Sequence, residues 1–177
     1  MEEAALGKSS LSKKLILHDL PPDNIEALLS RSAGEHTVFS AHPAVRPCEG
    51  CFGCWLNTPG ECVIDDRCKG FASMISGHDE FVVISRMVFG GLSPDVKAVL
   101  ERSIGHISPF FRIVNGEMHH VLRYDGIFAM RYIFYGQDMG EREVEIARRL
   151  TAANALNMGA EKWSAFFCPS ADEIEAV

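Results

Sequence analysis

Short, continuously apolar segments recur along this chain and constrain its fold more than any other feature. Their length suits β-strands, and strands that are apolar on both faces are typical of a parallel sheet covered by helices on both sides. The sequence therefore predicts five parallel strands. Four of the segments are clear and the last is weaker: residues 15–17, 81–84, 128–135, 165–167 and 37–39.

Amphipathic helices are predicted between these strands. Ser93 followed by Pro94 is a typical helix start, and apolar residues then recur at helical spacing. Alternating strands and helices, joined by right-handed crossovers, form a doubly wound α/β sheet with helices on both faces. We expect one such domain over residues 13–177, preceded by a polar extension over residues 1–12. The predicted helices cover residues 24–32, the segment from Cys68 to Ile75, the segment from Pro94 to Ile104 and the segment that starts at Glu141.

Composition excludes several classes of function. The net charge is −7, whereas sequence-independent nucleic-acid binding depends on an excess of Lys and Arg. No apolar run is long enough to cross a membrane, and the N-terminal residues lack the basic and apolar regions of a signal peptide. We therefore expect a cytoplasmic protein with no nucleic-acid or membrane partner. Because the cytoplasm keeps thiols reduced, disulfide bonds among the six cysteines are not assumed.

A cysteine-rich segment follows the second predicted strand. It has the spacing C-x2-C-x2-C with a fourth cysteine further on, which can surround an iron–sulfur cluster. Zinc prefers two well-separated C-x2-C pairs, and a disulfide or buried free thiols are further alternatives. We expect the first three sulfurs to converge in one loop, with the last uncertain as a fourth ligand. The candidate metal ligands are Cys48, Cys51, Cys54 and Cys62.

A second candidate site directly follows the strand at residues 81–84. Ligands of doubly wound sheets bind beyond the carboxyl ends of the strands, and paired glycines let the backbone approach a flat ligand closely. An ordinary turn between a strand and a helix is the alternative. The candidate cofactor-binding residues are Ser85, Arg86, Met87, Val88, Phe89, Gly90 and Gly91.

At these two places the chain resembles a known family, the flavodoxin-like NADPH-dependent FMN reductases and the related iron–sulfur flavoproteins. The resemblance covers about residues 47–102 and includes the string PCEGCFGCWLNTPGECVIDD. It implies the strand order 2-1-3-4-5, FMN at the carboxyl edge of the sheet, and ring contacts from residues 85–91. It also implies electron transfer from NAD(P)H to a flavin, a quinone or a similar small acceptor, and a homodimer.

The segment after the first predicted strand departs from that family. Residues 18–24 read HDLPPDN, without the glycines and hydroxyl groups that hold a phosphate at a helix N-terminus. Pro21 and Pro22 have no N–H group, and Asp19 and Asp23 repel an anion. The sequence therefore predicts weak or partial FMN binding.

Three functions remain open from the sequence. The first is an FMN-dependent NAD(P)H oxidoreductase, the second a flavin-free protein of the same fold that binds a partner, and the third a redox or metal-binding protein that acts through the cysteine-rich segment. Other conspicuous residues are expected to have structural roles. His119 and His120 are interpreted as exposed or hydrogen-bonding, Cys68 and Cys168 as unreactive, and Phe110, Phe111 and Trp163 as core or interface residues.

Overall fold

A five-stranded parallel sheet forms the centre of the molecule, as the computed structural model of residues 12–124 and 129–177 shows. Numbered along the chain, the strands are β1 (Lys13–His18), β2 (Glu35–Ser40), β3 (Glu80–Arg86), β4 (Ile107–Val114), β5 (Glu117–Leu122), β6 (Ala129–Tyr135) and β7 (Lys162–Cys168). The parallel sheet has the order β2-β1-β3-β6-β7. Since β4 and β5 lie outside it, this order is the predicted 2-1-3-4-5, and the flavodoxin-like fold is confirmed.

The order of the strands creates a switch point between β1 and β3. The chain moves from β1 outward to β2 on one side, then crosses back and continues from β3 in the other direction. The loops after β1 and β3 therefore leave the carboxyl edge of the sheet next to each other. In folds of this kind, that crevice is where ligands bind.

Helices cover both faces of the sheet. They are α1 (Pro22–Arg31), α2 (Gly53–Leu56), α3 (Phe71–Ile75), α4 (Pro94–Arg102) and α5 (Glu141–Met158), with short 3-10 segments at Ser103–His106 and Ala171–Glu173. The start of α4 is as predicted, because the Ser93 side chain accepts the Val96 N–H at 3.4 Å. The predicted helix from Cys68 begins later, at Phe71, although Cys68 is fully buried.

Two apolar cores lie on opposite faces of the sheet. One packs α3, α4 and α5 against side chains such as Leu15, Phe81 and Tyr132. The other packs α1 and the C-terminal residues Ile174 and Val177 against the opposite face. Strands β1 and β3 contribute buried residues to both cores, which explains why their sequences are continuously apolar.

An antiparallel hairpin, β4–β5, was not predicted. Asn115 and Gly116 form its turn with φ of 52° and 84°, the left-handed pair that a tight type I′ hairpin needs. The Asn-Gly pair is a strong hairpin signal in the sequence. Phe110 and Phe111 lie on this hairpin and are largely exposed, so they are not core residues.

Two predicted features fall partly outside the described residues. Most of the expected polar extension lies in residues 1–11, and Phe128 of the fourth predicted parallel strand also lies outside. Within the described parts of the chain, no helix has the length and apolar character needed to span a membrane.

Candidate functional site

The loop after β3 is fixed at both ends by Ser85. This residue is fully buried, and its hydroxyl accepts the backbone N–H of Ser93 at 2.8 Å while donating to the Arg86 carbonyl at 2.9 Å. One side chain thus ties the end of β3 to the start of α4. Because Ser85 holds the intervening turn in place, any ligand at this edge of the sheet meets a preorganised backbone.

Within the loop, Val88 and Gly91 exchange two backbone hydrogen bonds of 3.0 and 2.9 Å. Phe89 and Gly90 between them have φ of 50° and 77°, and the Phe89 side chain is 89% exposed. A side chain at Gly90 would lie 2.9 Å from the Glu143 carbonyl, so this glycine also allows close packing against α5. Residues 88–91 therefore form one tight turn after Ser85 and Arg86 at the end of β3, and contact between these candidate cofactor-binding residues and a flavin stays a prediction.

Asp19 joins the loop after β1 to the loop after β3. Its carboxylate accepts the Arg86 N–H through both oxygens at 3.1 Å, and its backbone carbonyl accepts the Tyr135 hydroxyl at 3.4 Å. Burial raises the pKa of Tyr135, and the neighbouring Asp19 carboxylate adds to this effect. These contacts tie together the carboxyl ends of β1, β3 and β6, so a buried carboxylate lies at the switch point.

The His18 side chain accepts a hydrogen bond from the same loop. Its Nδ1 accepts the Leu20 N–H at 3.1 Å, and the side chain is almost completely buried. Burial lowers the pKa of His18 to about 4, despite the opposing effect of Asp19. The imidazole is therefore neutral near pH 7 and adds no positive charge to the loop.

The loop after β1 does not fit the phosphate of FMN. A phosphate at this position needs free N–H groups, hydroxyls or positive charge at the start of α1. The N–H groups of Leu20, Asn24 and Ile25 already have acceptors, and Pro21 and Pro22 have none to offer. The only charged side chains between β1 and α1's second turn are acidic, as the sequence there shows.

A groove opens beside the loop after β3 and runs between α4 and α5. Its volume is about 760 Å³, within the range of pockets for small molecules and cofactors. Apolar side chains form most of its wall, and polar groups lie along its margin. The apolar part includes Val88, Leu92, Leu100, Ile104, Ile107, Leu150 and Met158, and the polar part Lys97, Glu101, Asn154 and Asn157.

The four cysteines of the cysteine-rich segment line a separate, smaller cavity of about 30 Å³. Burial raises the pKa of Cys54, and the thiols of Cys62, Cys48 and Cys51 raise it further. All four residues therefore border the same small cavity, and convergence of their sulfurs stays a prediction. Cys48 also lines the large groove, so the two spaces adjoin at this residue.

Arg102 forms the charged part of the cysteine cavity. It is fully buried, and its guanidinium donates to both Asp66 oxygens at 2.8 Å and to the carbonyls of Arg46 and Ile64. The hydrogen bonds from Arg102 lower the pKa of Asp66 to about 2. Burial by itself lowers the pKa of Arg102, but Asp66 and the nearby Cys68 and Cys62 raise it overall. Arg102 therefore stays positively charged, and it lies near the thiols of Cys62 and Cys68.

The geometry does not support a metal centre. Across residues 12–124 and 129–177, no three His, Cys, Asp or Glu side chains are arranged to hold a metal ion. All six cysteines are free thiols. The iron–sulfur and zinc interpretations of the cysteine-rich segment thus have no support from this arrangement. Burial raises the pKa of Cys68 to about 11 and also raises that of Cys168, in line with their expected low reactivity.

An aromatic cluster joins the cysteine-rich segment to the hairpin. The His120 ring lies 4.8 Å from Trp55 and 4.7 Å from Phe111, measured between centroids, and the Trp55 indole donates to the Ile104 carbonyl at 3.0 Å. His119 contacts Asn157 of α5 and Glu117 by hydrogen bonds. His119 is therefore hydrogen-bonded, as expected, whereas His120 packs against the Trp55 and Phe111 rings.

Sequence reasoning missed Arg102 and the hydrogen bonds by which Asp19 holds the loop after β3. Arg102 had a signal, because it follows Val99 by three residues and so continues the buried stripe of α4. Asp19 had none that specified its role, since its partner Arg86 is 67 residues away.

Several solved structures share this fold, and some of them are named as oxidoreductases or reductases. An NAD(P)H:quinone oxidoreductase from Methanothermobacter marburgensis matches with a TM-score of 0.60 and 13% identity, covering 89% of this chain and 86% of the other. An azoreductase from Bacillus anthracis matches with a TM-score of 0.57 and 13% identity, over 89% and 86% of the two chains. An NADH:FMN oxidoreductase matches with a TM-score of 0.53 and 11% identity, over 89% and 75%.

At such low identity these matches show a shared fold. Neither protein-family models nor curated protein sequences match this chain. Function is therefore inferred from the site.

Proposed function

We propose that this protein is an NAD(P)H-dependent oxidoreductase that reduces a flavin, and that the flavin is an exchangeable substrate. NAD(P)H would give a hydride to the oxidised flavin, which takes a proton from solvent, so that NAD(P)⁺ and the two-electron-reduced flavin leave. Quinones, which are also flat and largely apolar, are the alternative acceptors.

The fold supports this class of reaction. Among the structures that share it are enzymes named as an NADH:FMN oxidoreductase and an NAD(P)H:quinone oxidoreductase. Their reactions bring a nicotinamide and a flat acceptor together. The sequence resemblance at residues 47–102 points to the same family of reductases.

The groove supplies a surface for a flat ligand. Its apolar wall begins at Val88 and Leu92, directly after β3, and continues along α4 and α5. Lys97 also lines the groove, but its ammonium group is paired with the Glu101 carboxylate of the same lining, so binding here depends on the apolar wall. The fixed turn at residues 88–91 and this wall are the parts that would orient the reactants and exclude water from them.

One contrast carries the proposal: the groove after β3 is open, whereas most backbone N–H groups of the loop after β1 are either occupied, as at Leu20, Asn24 and Ile25, or absent, as at Pro21 and Pro22. A flavin can therefore place its ring at the carboxyl edge without a fixed phosphate. Such a ligand exchanges with solvent, as a substrate must. FMN and riboflavin, which differ in the phosphate, should then serve equally well.

The test is an absorbance spectrum of the purified protein followed by an activity assay. We expect little or no flavin in the purified protein, and oxidation of NADH or NADPH when FMN or riboflavin is added. Val88→Asp, which places a carboxylate at the groove, should raise the KM for flavin about tenfold, equivalent to about 1.4 kcal/mol. Leu56→Asp is the matched control, because Leu56 is exposed on α2 and does not line the groove.

A flavin-free binding protein is the second candidate function, and the occupied donors of the loop after β1 favour it. The same assay separates the two candidates. If neither flavin accelerates NAD(P)H oxidation and neither binds, the oxidoreductase proposal is wrong and the flavin-free alternative is supported.

We also propose that two copies of the chain associate through the β4–β5 hairpin. A two-stranded hairpin is marginally stable alone, and this one carries large exposed apolar side chains. A second copy is the occupant we favour, because a two-fold contact would cover the same patch on both chains at once. The exposed residues are Phe110, Phe111, Ile113 and Met118.

A further inference from the structure

Most polar side chains in the lining of the large groove already have partners. Lys97 pairs with Glu101, and the Ser103 hydroxyl donates to a backbone carbonyl at 2.6 Å. The side-chain oxygen of Asn157 is hydrogen-bonded to a histidine of the hairpin at 3.1 Å. Of the two amide side chains in the lining, Asn154 is therefore the one available to a ligand.

Asn154 lies on α5 between two apolar side chains of the groove. Leu150 and Met158 are four residues before and after it, so the three side chains share one face of the helix. Leu100 and Ile104 contribute further apolar side chains from α4. The groove can thus offer apolar contacts to the faces of a flat ligand and an amide to its polar edge.

A buried hydroxyl lies next to this amide. Tyr132 of β6 is fully buried in the core that packs against α5, and its hydroxyl makes no hydrogen bond of normal geometry within the described parts of the chain. Burial raises the pKa of Tyr132, and the neighbouring Asn154 side chain opposes this effect. A buried hydroxyl without a partner is costly, and phenylalanine would fill nearly the same space without that cost. Packing alone therefore does not explain the hydroxyl.

We propose that Asn154 recognises the imide edge of a flavin ring bound in the groove, and that Tyr132 orients its amide. This inference rests on the proposed reduction of a flavin. An imide has a carbonyl acceptor beside an N–H donor, and the asparagine amide offers the matching donor and acceptor. The Asn154 amide donates to the flavin carbonyl, and its oxygen accepts the flavin N–H.

Tyr132 acts through Asn154 and is a positioning residue. Its hydroxyl donates to the second lone pair of the Asn154 oxygen, which fixes the direction in which the amide faces. Quinones have carbonyl acceptors but no N–H group, so they cannot complete the pair of hydrogen bonds. The site therefore favours flavins over quinones as acceptors.

The test compares riboflavin with 3-methylriboflavin, in which a methyl group replaces the hydrogen of the imide N–H. Fluorescence titration of the full chain without NAD(P)H gives both dissociation constants. The wild type should bind riboflavin about tenfold more tightly, because the methylated ring cannot donate to the Asn154 oxygen. In Asn154→Leu, which has a similar size but no polar group, the two constants should agree within about twofold. Asn154 is only half-buried, so this variant is expected to fold.

Tyr132→Phe tests the positioning role. It removes only the hydroxyl and should lower the ratio of the two constants to about threefold, without a loss of stability to urea. A purely structural role would shift both constants alike and leave their ratio unchanged. Asn57→Leu is the matched control, because Asn57 is exposed and does not line the groove, and it should keep the wild-type ratio.

Equal binding of the two flavins by the wild type would overturn the inference. So would a preference for riboflavin that Asn154→Leu retains, because the bulk of the methyl group would then explain it, or an effect of Asn154→Leu confined to the KM for NADH. If riboflavin still accelerates NAD(P)H oxidation in these cases, the proposed function stands without the inference. Absence of both turnover and flavin binding would overturn the two together.

Discussion

Asp19 holds the backbone of Arg86 through both carboxylate oxygens, each 3.1 Å from the amide nitrogen. Asp19 directly follows β1 and Arg86 ends the neighbouring strand β3, at the switch point where ligands of doubly wound sheets bind. An internal carboxylate therefore accepts a hydrogen bond in a place where such folds commonly offer donors to a ligand. Because Asp19 accepts the Arg86 N–H, this donor is not free for a ligand at this edge of the sheet.

Acid should destabilise the protein through His18. Its folded pKa of about 4 is below the ordinary 6.5, so protonation is disfavoured in the folded state. The stabilisation is complete above pH 6.5 and is lost as the pH falls from 6.5 toward 4, by up to about 3 kcal/mol. His18→Asn keeps an acceptor for the Leu20 N–H and should remove most of this pH dependence. Urea unfolding at pH 7.5 and 4.5 measures it, and identical pH dependence in both proteins would contradict this account.

Loss of the Asp66 carboxylate should lower the stability of the cysteine-rich segment. Asp66→Asn leaves the buried guanidinium of Arg102 without its counter-charge. Because the Asp66 side chain is 24% exposed, the cost should be below the roughly 3–5 kcal/mol of a fully buried pair but above that of an exposed one. The adjacent Asp65→Asn removes only an exposed i,i+4 pair with Lys69, which is worth less than about 1 kcal/mol. Chemical denaturation compares the two variants. Equal losses would show that the buried pair contributes no more than the exposed one.

Gly90 and Gly91 should differ in their tolerance of alanine. At Gly90 the φ of 77° is strained for other residues, and a Cβ would lie 2.9 Å from the Glu143 carbonyl. At Gly91 the nearest atom, the Val88 carbonyl oxygen, is 3.4 Å away. Gly90→Ala should cost about 1–3 kcal/mol, and Gly91→Ala well under 1 kcal/mol. Thermal unfolding measures both, and a Gly90→Ala protein as stable as wild type would show that the turn relaxes easily.

Self-association should depend on the hairpin. The double variant Phe111→Ser/Ile113→Ser removes two exposed apolar side chains from one face of it and should convert a dimer into a monomer. Light scattering after size-exclusion chromatography gives the mass, and Leu56→Ser serves as a control at an exposed apolar position elsewhere. A wild-type protein that is monomeric at tens of micromolar would refute the proposed contact.

The strands were predictable because burial on both faces leaves a local signal. The apolar side chains of β1 and β3 are buried in the core on one face of the sheet or the other. Their sequences are therefore continuously apolar, and this pattern can be recognised without reference to distant residues. The helix at Phe71–Ile75 was less well predicted. Cys68 is buried like a helical residue, yet its N–H donates to the Asp66 carboxylate in the preceding turn.

The candidate site was only partly predictable for a related reason. The unsuitability of residues 18–24 for a phosphate follows from residue types alone, since proline has no N–H and acids repel anions. The contacts that close this loop join residues far apart in sequence, as Asp19 and Arg86 do. The groove likewise forms only when α4 and α5 pack beside the turn after β3.

The dissociation constants of FMN and riboflavin, measured by fluorescence titration of the same purified protein, test the central claim most directly. The occupied donors at Leu20, Asn24 and Ile25 predict that the phosphate adds almost nothing, so the two constants should agree within about threefold. FMN binding more than about tenfold tighter than riboflavin, or saturable binding of neither flavin, would contradict the account.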